Sequence, residues 1–227
     1  MGNGTAIVRH AAAGCEVHLL CATRGGAGWN GLPEGSRPEE LPEIRGGELE
    51  RASAVLGIAG VELWDYPDGG VAGCDHDELT ARIAAAVARL DPAVVCGWGP
   101  DGGYGHPDHI AVGACTDAAL AGSGRPLYHL AVDRLAADAF AAWLTVAMPG
   151  NGMRLTPVDR VDTVFEPTPA EYAKVWQAVA CHASQLNEMY RAMLGDADAF
   201  RWFARNSYLR TEVATLKPAG ELFPELA

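Results

Sequence analysis

The chain has 227 residues, a length that suits one large α/β domain or two small ones. It is 49% hydrophobic and 20% charged, which excludes a disordered, collagen-like or coiled-coil chain. Its 17 basic and 29 acidic residues give a net charge of −12 without any basic stripe. We therefore expect neither a nucleic acid nor a membrane surface as partner, and no apolar run is long enough for a membrane helix.

Cysteine usage indicates a reducing compartment. None of the six cysteines forms a CxxC pair, and several lie within apolar runs, where a free thiol behaves as a small hydrophobic side chain. We therefore predict a cytoplasmic protein. The sequence is compatible with a homo-oligomer but does not reveal the oligomeric state.

Helices and strands are predicted to alternate through the first half of the chain. The pattern indicates an opening helix that ends at Gly14, and then strand 16–21, helix 38–56, strand 61–64, helix 77–90 and strand 93–97. This order predicts an α/β fold, a Rossmann-like three-layer α/β/α arrangement with a mostly parallel sheet. Such a domain normally begins with a strand, so its first strand is expected to be missing.

The second half is less regular. We predict helix 108–120, strand 126–132, helix 134–146, one or two strands over 155–165 and one long helix over 169–194. No linker or repeat divides the chain, so residues 1–227 are predicted to form a single domain.

A parallel sheet places its site at the carboxyl ends of its strands, where three loops fall: 23–31, 65–70 and 98–109. The last is the richest in chemistry, because four glycines, two histidines and two carboxylates lie between Gly99 and His109. His106 and His109 are three positions apart and would face similar directions on a helical turn. The structural alternative is a plain turn at Asp101, with Asp108 as the N-cap of the next helix.

Three further features have simpler interpretations. The acidic segment 74–78 is interpreted as a helix start with Asp75 or Asp77 as N-cap. The glycine-rich segment 23–28 lacks a phosphate-loop pattern. His182 is either a core histidine or a site-lining one, and the sequence alone leaves both open.

Gly103 to His109 reads Gly-Tyr-Gly-His-Pro-Asp-His, and it resembles the second signature of the zinc-dependent LmbE-like (PIG-L) N-deacetylases. Members of that family hydrolyse the acetamido group of N-acetylglucosamine-type compounds. Other segments resemble family elements in the same order, over most of residues 1–190: 16–25, 45–57, 66–70 and 182–185.

The resemblance implies roles for individual residues. His109 matches the zinc-binding histidine of the signature, and His106 matches the histidine that stabilises the oxyanion or protonates the leaving amine. Asp108 matches the carboxylate that orients this group, and Tyr104 matches a tyrosine that helps to polarise the amide carbonyl.

The resemblance also implies a small amino-sugar substrate. Arg45 and Asp68 match positions near the bound sugar. The family's loop glutamate is replaced here by Gly26, which is a mild departure.

The larger departure concerns the first family signature, His-Pro-Asp-Asp-Glu, which supplies two zinc ligands and the general base. This sequence does not contain it. Two hypotheses remain: a zinc-dependent N-deacetylase whose first motif precedes Met1, or a catalytically inactive homologue that acts as a sugar-binding or regulatory domain.

We expect the 227-residue chain by itself to bind zinc weakly. Catalytic zinc uses three protein ligands and an open position for water, and the resemblance supplies only His109. Metal analysis after dialysis measures this directly. Near-stoichiometric zinc that disappears in His109→Ala would contradict the expectation.

Overall fold

The computed structural model describes residues 2–27 and 36–211. Residues 28–31 of the loop predicted at 23–31 lie outside these ranges. The chain divides into two compact units, each built from separate stretches of sequence. The first comprises Met1–Gly69, Asp138–Met153 and Phe165–Asn206; the second comprises Gly70–Ala137, Arg154–Val164 and Ser207–Ala227. A single domain over 1–227 stays a prediction.

Helices and strands both occur along the described chain, in an order close to the predicted one. The helices are α1 (Gly4–Ala12), α2 (Leu41–Leu56), α3 (His76–Leu90), the irregular turn α4 (Gly102–Gly105), α5 (Pro107–Leu120), α6 (Arg134–Ala147), α7 (Pro169–Ala180), α8 (Glu188–Leu194) and α9 (Ala197–Ala204). The strands are β1 (His18–Thr23), β2 (Gly60–Tyr66), β3 (Val95–Trp98), β4 (Leu127–Ala131), β5 (Thr163–Phe165) and β6 (Asn206–Arg210).

Parallel pairing confirms the α/β class. In the first unit β1 pairs with β2, with Leu20 opposite Glu62. The other sheet has the order β3-β4-β6-β5, and β3 and β4 are parallel with Gly97 opposite His129. The sequence did not predict β6, which runs antiparallel to β4.

Local signals explain several helix ends. Gly14 takes a left-handed conformation (φ +92°) just after α1, and Gly57 (φ +81°) does the same after α2, as helix C-termini favour. Asp75 accepts hydrogen bonds from the backbone N–H groups of Asp77 and Glu78 at the start of α3. The interpretation of segment 74–78 as a capped helix start is thus confirmed.

Helix α1 is docked closely onto the rest of its unit. A Cβ at Gly4 would lie 2.9 Å from Val175 Cγ1, so glycine permits α1 to approach α7. The first-turn N–H of Ala6 donates to Asn206 Oδ1 (3.0 Å), and this bond satisfies a helix-terminal group that otherwise lacks an intrahelical partner. The apolar core of this unit lies beside these contacts and contains Val8, Val175, Val179, Leu186, Met193, Ala199, Phe200 and Ala204.

The prediction of one long helix over 169–194 is wrong. Helix α7 ends at Ala180, a short 3-10 turn spans Ala183–Gln185, and α8 begins after Asn187. Glu48 causes the break, because its buried carboxylate accepts the Ser184 backbone N–H at 2.7 Å and the Ser184 hydroxyl at 2.7 Å. That N–H is therefore unavailable for a helical bond, and Asn187 then caps α8 through Tyr190 N–H.

The prediction of one or two strands over 155–165 is only partly confirmed. The structure shows β5 at Thr163–Phe165 and one isolated parallel bridge between Asp133 and Val158.

We expect Glu48→Ala to lower the free energy of unfolding by about 3 kcal/mol. The substitution removes a buried carboxylate, and the Ser184 backbone N–H and hydroxyl then lose their acceptor. Urea titration measures the loss. Glu50 lies on the same helix but is exposed, so Glu50→Ala should change stability by less than about 0.5 kcal/mol. Equal effects of the two substitutions would contradict the role of Glu48.

Candidate active site

The loop after β3 is shaped by glycine. Gly102, Gly103 and Gly105 have φ angles of +60°, +80° and +80°, which other residues rarely adopt. A Cβ at Gly102 would also lie 2.9 Å from Ile110 Cγ1, so a side chain does not fit there. Asp101 Oδ1 accepts the Gly103 N–H at 3.2 Å and stabilises the turn. The chain is thereby folded back over the first turn of α5.

His106 is the N-cap of α5, and its Nδ1 accepts the backbone N–H of Asp108 at 3.2 Å. The interpretation of Asp108 as the N-cap is therefore wrong, because Asp108 is already within the helix. A ring nitrogen that accepts a hydrogen bond carries no proton. In the neutral imidazole the proton of His106 is then on Nε2, which can act as a donor.

His109 has the opposite arrangement. Its Nδ1 lies 3.0 Å from the Gly102 carbonyl oxygen, which can only accept, so Nδ1 carries the proton and Nε2 has a free lone pair. Burial lowers the pKa of His109, although the bond to Gly102 opposes the shift. The ring is therefore neutral at neutral pH, with Nε2 able to act as a base or metal ligand.

Four rings pack together around this turn. His106 and His109 have ring centroids 4.6 Å apart, and Tyr104 meets them edge-on at 5.7 and 5.4 Å. Trp98 stacks on the imidazole of His109, with ring centroids 3.8 Å apart and ring planes 7° apart. The structure thus brings together three residues that the sequence singled out. It adds Trp98, whose only signal in the sequence was its place at the end of a strand before the loop.

Asp108 is 5% exposed and lies at the base of this turn. Its backbone N–H supports His106, and its carboxylate Oδ1 accepts the Val71 N–H at 3.0 Å. The contact with Val71, at the start of the 3-10 turn Val71–Gly73, was not foreseen from the sequence. It fixes the beginning of α5 against the segment that follows β2.

The donor set around His109 does not fit a zinc site. Within residues 2–27 and 36–211, no three side chains of His, Cys, Asp or Glu are placed to hold one metal ion. His106 Nδ1 is occupied by a backbone N–H, and Asp108 is bonded to Val71.

Arg45 and Asp68 belong to the first unit, where both support the loop after β1. The Arg45 guanidinium donates to the Gly25 carbonyl. Asp68 accepts the Thr23 hydroxyl at 3.2 Å and the Ala27 N–H at 2.9 Å. Burial lowers the pKa of Arg45, and the nearby carboxylate of Asp68 opposes that shift. Both residues therefore organise the described part of the loop.

A cavity of about 370 Å³ lies at the carboxyl ends of β1 and β2, within the size range of small-molecule sites. It occurs where a parallel sheet is expected to bind a ligand. An ion pair between Arg24 and Asp65 forms part of its wall. The lining residues are Arg24, Gly26, Ala27, Pro42, Asp65, Tyr66, Pro67 and Asp68.

His182 lies at the start of the 3-10 turn held by Glu48. Its Nδ1 is 3.2 Å from the Gln185 side-chain nitrogen, whose N–H donates to it. Burial lowers the pKa of His182 to about 4, and the Glu48 carboxylate opposes the shift only partly. His182 is therefore neutral over the physiological pH range.

These elements define an α/β protein whose loop after β3 presents two histidines. The family model PIG-L, GlcNAc-PI de-N-acetylase, matches residues 1–120. A deacetylase of 1D-myo-inositol 2-acetamido-2-deoxy-α-D-glucopyranoside from Mycolicibacterium vanbaalenii is 32% identical over 218 residues, 81% of this chain and 75% of that protein. The chain belongs to the PIG-L family.

Another relative of the same description, from Kineococcus radiotolerans, is 36% identical over 147 residues. The match covers 53% of this chain and 41% of that protein. In a relative from Rhodococcus jostii it covers 50% of the protein. The chain thus spans about half the length of these two relatives.

Solved structures support the fold. N,N′-diacetylchitobiose deacetylase from Pyrococcus horikoshii has a TM-score of 0.58 and 21% identity, over 83% of this chain and 67% of that one. The 4-carboxy-2-hydroxymuconate hydratase GalB from Pseudomonas putida has a TM-score of 0.61 and 17% identity, over 96% of this chain and 92% of that one. Since a deacetylase and a hydratase share it, the fold does not determine the activity.

We expect His182 to make the protein less stable in mild acid. Its folded pKa is about 4 and its ordinary value is 6.5, so between these values the unfolded chain binds a proton that the folded chain does not. The contribution of His182 to the free energy of unfolding is fully present above pH 6.5 and decreases as the pH falls towards 4. The total loss from this group is on the order of 3 kcal/mol.

His182→Asn should remove this contribution. Urea unfolding at pH 7, 5.5 and 4 measures it, and His76→Asn is the control because His76 is exposed. If wild type and His182→Asn lose stability equally between pH 6.5 and 4, the burial of His182 does not determine the acid response.

Proposed function

We propose that this protein removes the N-acetyl group from an N-acetylglucosamine-type sugar or sugar conjugate. The observation that supports the proposal most directly is the histidine pair of the β3–α5 loop. One imidazole presents an Nε2–H donor and the other an Nε2 lone pair. Relatives that carry out sugar deacetylation support the choice of substrate class.

Amide hydrolysis needs both kinds of group. The oxygen of water adds to the carbonyl carbon and the water gives a proton to a base, a role that the family resemblance assigns to the carboxylate of the first signature, His-Pro-Asp-Asp-Glu. Negative charge develops on the carbonyl oxygen, and the nitrogen must gain a proton before the C–N bond breaks and acetate and the amine separate. We assign His106 Nε2–H to the developing oxyanion and then to the departing amine. Tyr104 helps to polarise the carbonyl, and Asp108 positions His106 through its backbone N–H.

We further propose His109 as a zinc ligand of the protein. Within the described residues His109 lacks two companion ligands, which the first family signature would have to supply.

We propose Arg45 and Asp68 as substrate-binding residues that act together with the loop they support. Their polar contacts to Gly25, Thr23 and Ala27 shape the cavity wall at the carboxyl ends of β1 and β2. Arginine and carboxylate groups suit hydroxyl-rich ligands, because they offer several donors and acceptors in fixed geometry.

We also propose a cytoplasmic location, with no nucleic-acid or membrane partner. All six cysteines are free, as a reducing compartment favours. No helix within residues 2–27 and 36–211 is both long and apolar enough to cross a bilayer.

The activity test compares this chain with a longer one in which a strand carrying His-Pro-Asp-Asp-Glu precedes Met1. Acetate release from the inositol-linked N-acetylglucosamine is measured with zinc present. We expect turnover by the longer chain. If both chains bind the sugar but neither releases acetate, the alternative of a sugar-binding or regulatory homologue is supported instead.

In the longer chain, His106→Ala should lower kcat by about 10² to 10³ with little change in KM, because its interaction strengthens only in the transition state. It should keep its zinc, whereas His109→Ala should lose zinc and activity together. Asp108→Asn should have a smaller effect, since its backbone N–H is unchanged.

His76→Ala is the matched control, because His76 is exposed at the start of α3. Full turnover by His106→Ala, or loss of its zinc, would show that the two histidine roles are wrongly assigned.

A further inference from the structure

The imidazole of His109 packs against three other rings. Trp98 covers one face at 3.8 Å, nearly parallel at 7°, and His106 lies against the ring at 4.6 Å and 27°. Tyr104 meets it edge-on at 83°. Rotation of the imidazole about its Cβ–Cγ bond must therefore displace the indole or the neighbouring imidazole.

Trp98 is itself held in place. The loop backbone passes over the edge of the indole at Gly103, where a Cβ would lie 3.1 Å from Trp98 Cζ3. Helix α5 contacts the Trp98 backbone at Gly113, where a Cβ would lie 2.6 Å from the Trp98 carbonyl oxygen. Two glycines thus allow the loop and the helix to pack directly against Trp98.

The orientation of the ring determines which nitrogen of His109 is available. A half-turn of the ring would exchange Nδ1 with a carbon atom, break the hydrogen bond to Gly102 and leave that carbonyl without this donor. The bond to Gly102 by itself favours one orientation only by a factor of about 2 to 10, since a single neutral hydrogen bond adds little net stability. A half-turn leaves the ring plane unchanged, so the stacked indole acts in another way: it opposes tilting of the imidazole, and a tilt would carry Nδ1 out of line with the Gly102 oxygen and weaken that bond.

We propose that Trp98 is a positioning residue that holds His109 in the Nδ1–H tautomer and directs its Nε2 lone pair away from the loop. Trp98 contacts His109 and acts through it. The importance of this position rests on the proposed function, but the tautomer itself is measurable without any activity.

Long-range ¹H–¹⁵N spectra of ¹⁵N-labelled protein at pH 7.5 distinguish the two neutral tautomers, and His109→Asn assigns the signal. We expect one His109 species, protonated on Nδ1, in the wild type. Trp98→Met keeps an apolar side chain but no flat ring, and it should give a mixture in which the Nδ1–H form is reduced at least twofold. Trp98→Phe should restore most of the single species.

Trp176→Met is the matched control, since Trp176 lies on α7 in the other unit, and it should leave the His109 signal unchanged. An unchanged His109 tautomer in folded Trp98→Met would overturn the proposal, because the bond to Gly102 would then suffice alone. If Trp98→Met does not fold, Trp98→Leu, which also lacks a flat ring, takes its place with the same two outcomes. Nε2–H or mixed His109 signals in the wild type overturn the proposal directly.

Absence of acetate release together with the expected spectra would reject the proposed function and leave the role of Trp98 intact. Acetate release together with an unchanged His109 tautomer in Trp98→Met would reject the role of Trp98 and leave the deacetylase proposal intact.

Discussion

The chemistry of the β3–α5 loop depends on one hydrogen bond, from His109 Nδ1 to the Gly102 carbonyl. The bond requires the chain to reverse direction within a few residues, and three left-handed glycines make that reversal possible. Gly102 has no alternative, because a side chain there would collide with Ile110. Backbone conformation thus supplies the acceptor for His109 Nδ1–H, before any substrate or metal is considered.

The same turn explains how two histidines three positions apart obtain different properties. His106 precedes the helix, so a backbone N–H of the first turn, that of Asp108, donates to its Nδ1, and the proton of the neutral ring is on Nε2. His109 lies inside the helix and its Nδ1 reaches a carbonyl instead. A donor and an acceptor are therefore produced from one residue type by position relative to a helix terminus.

Sequence patterns predicted the alternating elements, the loops at the strand ends and the proximity of His106 and His109, because these follow from periodicity, glycine content and spacing. Tyr104 was singled out only through the family resemblance. The break after α7 could not be predicted, since it depends on Glu48, which is 136 positions away from Ser184. The prediction of Asp108 as N-cap failed for a related reason. Asp108 is the better capping residue by preference, but its carboxylate is bonded to Val71, a contact that only the tertiary structure brings about.

In the first unit, one pair of polar side chains holds the loop after β1, and another pair lines the cavity wall. Arg45 and Asp68 direct their polar atoms to the loop after β1, whereas Arg24 and Asp65 form an ion pair on the cavity wall with side chains 41% and 77% exposed. An exposed pair of this kind contributes little to stability, about 0–1 kcal/mol, so a ligand can separate it at small cost. A hydroxyl-rich ligand would accept a hydrogen bond from Arg24 and donate one to Asp65 in place of the bond between them. The half-buried Arg45 and Asp68 thus hold the loop that shapes the cavity, and the exposed pair places a donor and an acceptor on its wall.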